Sequence, residues 1–75
     1  MRILETIQIQ DGKILQLSYH QARMNAARKQ LWQCDNVIDL ASTLVVPAEH
    51  QSGIVRCRVV YQQEIEEIQY KHIVE

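Results

Sequence analysis

Residues 2–17 read RILETIQIQDGKILQL, and the placing of their turn decides how the chain begins to fold. Apolar and polar residues alternate through Ile3, Ile7 and Ile9, with Thr6 and Gln8 between them. That alternation is the period of a half-buried strand. Asp11-Gly12 is a strong hairpin cue. A two-residue loop at Asp11-Gly12 would set Ile9 opposite Ile14 and scatter the apolar residues over both faces. A three-residue loop, Gln10-Asp11-Gly12 with Gly12 left-handed, groups Ile3, Ile7, Ile9, Leu15 and Leu17 on one face. A slip of one residue exchanges the faces, so the apolar pattern selects the longer loop. Glu5 then falls among the apolar side chains, where a buried carboxylate requires a cation such as Arg23.

Working outward, residues 17–32 read LSYHQARMNAARKQLW. Ser18 is placed as an N-cap and Gln21, three residues on, completes a capping box, with Leu17 and Ala22 as the apolar contact around it. A helix is expected over about 19–33, ending at the Cys-Asp-Asn cluster. Its inward stripe is read as Tyr19, Ala22, Arg23, Ala26, Ala27 and Leu31. Asn36 is expected to cap a short helix over about 37–45, which Pro47 stops. The run IVRCRVVY, 54–61, is β-branched and strand-like, and 65–73 is its antiparallel partner. A two-residue loop at Gln62-Gln63 would set Arg58 opposite Glu67. With strands at about 2–9, 13–17, 54–61 and 65–73, the class is α+β: two antiparallel hairpins packed on one main helix.

The chain has 75 residues, 47% of them hydrophobic, and a net charge of −1. It is one small domain, near the lower limit for independent folding. Phe is absent, so the core rests on Ile, Leu, Val, Tyr and Trp32. The charge balance lacks the basic excess of a nonspecific nucleic-acid or membrane binder. No signal peptide or membrane span is read, and Cys34 and Cys57 do not make a disulfide framework, so the cytoplasm is the expected compartment. The histidines and cysteines show no metal-ligand spacing. Gly12 and Gly53, the two glycines, make no phosphate loop.

LETIQIQDGKILQLSYHQARM (4–24) followed by GIVRCRVVY (53–61) resembles the N-terminal domain of the pyridoxal-phosphate-dependent class IV aminotransferases. That group includes branched-chain aminotransferases, D-amino-acid transaminases and aminodeoxychorismate lyases. The resemblance covers almost the whole chain. It implies that Arg23, in His20-x-x-Arg23, contacts the cofactor's phosphate. Apart from the resemblance, His20 is read as orienting Arg23 or as a surface or packing residue, and Glu5 as a partner of Arg23 or another cation. A guanidinium offers paired donors that match phosphate oxygens. Arg56 matches less closely a substrate-side arginine of some branched-chain enzymes. For Arg23 the alternative is a side chain that reaches solvent or pairs with Glu5. For Arg56 and Arg58 it is a solvated strand face.

The resemblance also implies a catalytic lysine on a second domain, and the chain ends before one. Lys13, Lys29 and Lys71 lack the desolvated or cationic surroundings that activate such a lysine. No catalytic residue is therefore assigned here. The expected role is a truncated or split domain that acts with a complementing lysine-bearing domain. A non-catalytic homodimeric or adaptor module derived from that domain is the alternative.

Overall fold

The computed structural model describes residues 1–73. It is α+β, a four-stranded antiparallel sheet covered on one face by helices. The elements are β1 (Ile3–Gln10), β2 (Lys13–Ile14), α1 (Leu17–Trp32), α2 (Leu40–Thr43), a 3-10 turn at Ala48–His50, β3 (Ile54–Tyr61) and β4 (Ile65–His72). The strand order is β2-β1-β3-β4, so β1 of the first hairpin and β3 of the second meet at the centre.

Strict alternation builds the covered face. Ile7, Ile9, Val55, Cys57, Val59 and Tyr61 point inward, and Met24, Leu40 and Leu44 close over them. Thr6, Gln8, Arg56 and Arg58 point to the other, solvated face.

The first hairpin corrects the expected register. Ile9 pairs with Ile14 and Gln10 with Lys13, which is the two-residue loop at Asp11-Gly12. Both loop residues are left-handed, with φ of 51° and 81°. That is the primed turn whose twist matches the flanking strands. The apolar pattern misled because residues 15–17 are not strand. β2 stops at Ile14, and the left-handed Gln16 (φ 53°) swings the chain into α1. Asp11 also ties the turn to the start of β3, since its N–H donates to the Gly53 carbonyl and its carboxylate accepts from Gly53 N–H, both at 2.9 Å.

α1 therefore begins at Leu17, not Tyr19, and Ser18 is not its cap. Gln21 is used elsewhere. Its Nε2 donates to the Ile38 carbonyl and its Oε1 accepts from Leu40 N–H, which seats α2 on α1. The inward side of α1 is His20, Gln21, Met24, Ala27, Arg28 and Trp32, rotated from the expected stripe. Tyr19, Ala22, Arg23, Ala26 and Leu31 are exposed. α2 is shorter than expected and is capped by Asp39, whose carboxylate accepts from Ala41 N–H, rather than by Asn36.

In the β3–β4 hairpin Val59 faces Ile68 and Cys57 faces Tyr70. The loop is longer than two residues, Tyr61 pairing with Ile65, and an irregularity follows Val60. Arg58 consequently faces Gln69, not Glu67, and donates to its Oε1 at 3.0 Å. Ile73 lies just beyond β4.

No helix among the described residues is long and apolar enough to cross a membrane.

Candidate functional site

The site lies where the first turns of α1 cross the start of β1. Alternation along β1 sends Glu5 inward, and it is only 3% exposed. A carboxylate there needs donors. His20, one turn into α1, supplies the first: its Nδ1–H donates to Glu5 Oε1 at 2.6 Å. Arg23 Nε lies 3.6 Å from the same oxygen. Arg23 Nη1 donates to the Tyr19 hydroxyl at 3.0 Å, and its Cζ stands 5.5 Å from the Tyr19 ring centre. Nη2 has no partner among the described residues.

The electrostatics follow from this arrangement. Tyr19, first, and the charge of Glu5, second, hold the Arg23 guanidinium above its ordinary pKa. Burial, and then the neighbouring Glu5 charge, push the Tyr61 phenol up. Arg23 is thus a permanent cation with one edge fixed and the other facing water, its side chain 55% exposed. Such a group can receive an anion from solvent. Glu5 opposes a dianion at close range, and the His20 hydrogen bond tempers it.

The structure brings Glu5, His20 and Arg23 together as a cluster and leaves Arg56 out of it. Arg56 lies on the solvated sheet face, opposite Gln8 on β1 and Lys71 on β4. It lines a shallow groove with Lys71, His72 and Ile73.

The arginine on the buried stripe is Arg28, 1% exposed, which the expected inward stripe did not include. Its Nε and Nη2 donate to the Gln63 carbonyl at 2.9 and 2.7 Å, and its Nη1 donates to the Asn36 carbonyl at 2.7 Å. This guanidinium joins the end of α1 to the β3–β4 loop, and each of its three nitrogens donates within the chain. The signal for it was the i, i+4 spacing from Met24, the largest apolar side chain near the middle of the helix.

A cofactor phosphate would fit the open edge of Arg23. The carbonyl end would find no lysine prepared for it. Lys29 pairs with Asp35, whose carboxyl it holds below the ordinary range. Lys13 and Lys71 are exposed. Among the described residues no group of His, Cys, Asp and Glu could hold a metal ion.

No protein-family model matches the chain. No solved structure matches it either. An uncharacterized protein of Haemophilus influenzae is 30% identical to it over 70 residues, which is 91% of this chain. The chain spans 37% of the length of that relative.

Proposed function

We propose that this chain is the small domain of a class IV-type pyridoxal-phosphate enzyme and that Arg23 is its contact to the cofactor phosphate. The observation that carries the reading is the half-exposed Arg23 guanidinium, anchored by Tyr19 and the buried Glu5–His20 pair, at the position that the His-x-x-Arg resemblance assigns to phosphate. The bound cofactor would supply the electron sink for amino-group chemistry on an amino acid or aminodeoxychorismate. This chain's own residues bind and orient. Glu5 and His20 fix the direction of Arg23. The Schiff-base lysine comes from a complementing domain. Most of the length of the Haemophilus relative lies outside the matched stretch, which agrees with a larger working unit. The free thiols Cys34 and Cys57 suit a reducing cytoplasm.

The test is titration of the chain with inorganic phosphate and with pyridoxal phosphate, followed by NMR at the arginine Nε–H signals. The Arg23 signal is expected to shift, and Arg23→Ala to abolish the response while leaving the urea unfolding midpoint nearly unchanged. A large loss of stability with unchanged anion binding would reassign Arg23 as a structural partner of Glu5. Borohydride reduction in the presence of pyridoxal phosphate is expected to label no single lysine of this chain. Selective labelling of one lysine would contradict the need for a complementing domain. A second reading, an interaction module, is favoured by the free edge of β4.

A further inference from the structure

β4 is the last strand of the sheet, and among the described residues only β3 lies beside it. Its eight residues, IEEIQYKH, contain no proline. An edge of this length is a template for another strand. The bond from Ile73 N–H to the Ile54 carbonyl shows which backbone groups are already used. Hydrogen-bonded and non-hydrogen-bonded pairs alternate in antiparallel strands. With Arg58 opposite Gln69 and Arg56 opposite Lys71, the residues Glu67, Gln69 and Lys71 turn their backbone groups toward β3. Ile68 and Tyr70 turn theirs outward.

The side chains of this edge complement themselves. In a two-fold pairing about an axis normal to the sheet, facing residues must come from the same face. The axis can then fall on Ile68, Gln69 or Tyr70. Centred on Ile68, Glu67 faces Gln69 and Lys71 faces Ile65. Centred on Tyr70, Lys71 faces Gln69 and Glu67 faces Ile73. Only the centre at Gln69 sets Glu67 of each copy against Lys71 of the other, twice by symmetry. These would be non-hydrogen-bonded positions, where facing side chains come closest. The same register exchanges backbone bonds between Ile68 and Tyr70 and stacks these two half-buried side chains on the helix-covered face.

One feature of the single chain points the same way. Lys71 stands directly opposite Arg56, an unfavourable like-charge pair, and neither has a carboxylate partner among the described residues. Glu67 accepts a hydrogen bond from Gln69 and has no cation partner among the described residues. Glu67 of a second copy would supply the missing counter-charge to Lys71.

We propose that β4 is a self-pairing edge through which two copies of this chain join antiparallel about Gln69, making one continuous sheet. The inference does not depend on the cofactor reading. Its test reads mass and cross-linking, whereas the cofactor test reads anion binding at Arg23.

Sedimentation of the full chain over a range of concentrations is expected to show reversible association to twice the monomer mass. Glu67→Lys and Lys71→Glu each place like charges face to face in both symmetric pairs, and each is expected to weaken association about tenfold or more. The double variant exchanges the charges and is expected to restore it. Both changes are at exposed positions, and circular dichroism checks that the fold is kept. In a Cys34→Ser background, Gln69→Cys is expected to give a disulfide-linked dimer on mild oxidation, while Ile68→Cys and Tyr70→Cys do not. A chain that stays monomeric throughout would overturn the proposal. So would association indifferent to both charge reversals, or cross-linking at residue 68 or 70 instead of 69.

Discussion

Arg23 and Arg28 share a helix and a charge, and their surroundings divide their roles. Arg28 is desolvated and satisfied by carbonyls of Gln63 and Asn36. Removing it strands those acceptors, so Arg28→Ala is expected to cost about 3 kcal/mol in urea unfolding, well above the cost of Arg23→Ala. Arg28→Lys keeps the charge but loses the fork of donors and should fall between them. Cys57 gives a second prediction at this scale. Burial pushes its thiol up to about 11. The unfolded thiol ionises first as pH rises, so the folded state loses stability between the ordinary thiol range and pH 11, by up to about 1.4 kcal/mol per pH unit. At pH 8 a thiol reagent is expected to modify the half-exposed Cys34 in the native chain and Cys57 only on unfolding. Glu5 was legible as a buried acid from strand alternation alone. That its first partner is His20 rather than Arg23 was not, because the choice turns on a rotation of α1 that no local pattern records.

The elements differ in how far local chemistry defined them. β3 was found to the residue because IVRCRVVY alternates cleanly between two turns. The Asp11-Gly12 turn was recognised, yet its loop length was misjudged by one residue. Leu15 and Leu17 continue the apolar alternation after β2 has ended at Ile14. Gly12 itself, at φ 81°, makes a sharp test. A Cβ there would meet Gln51 at an ordinary 3.7 Å, so Gly12→Ala acts through backbone strain and not through a clash. It is expected to cost about 1 kcal/mol, measurable as a lowered urea midpoint with unchanged slope. α1 was placed correctly but rotated in expectation, since its large apolar residues are too few to mark one side. Met24 and the aliphatic stem of Arg28 define the buried stripe, and an arginine is not counted as apolar by any pattern.

At the scale of the molecule, one helical layer covers one face of four strands, and the other face and the β4 edge are open among the described residues. Stability is accordingly uneven. The central strands β1 and β3 carry the buried core, while residues 34–53 hold only two short helical turns. Native-state hydrogen exchange is expected to show β1 and β3 amides opening only with global unfolding. Leu40–Thr43 and Ala48–His50 are expected to open at lower free energy. The sequence by itself determined the α+β class, the strand alternation, the burial of Glu5 and the position of every long element, because these follow from the residue period within a few turns of chain. Only the tertiary structure decided which arginine is buried and which faces solvent, the loop lengths of both hairpins, and which strand is left at the edge. These depend on the rotation of α1 and the order of strands in the sheet, which contacts between distant segments fix and neighbouring residues cannot.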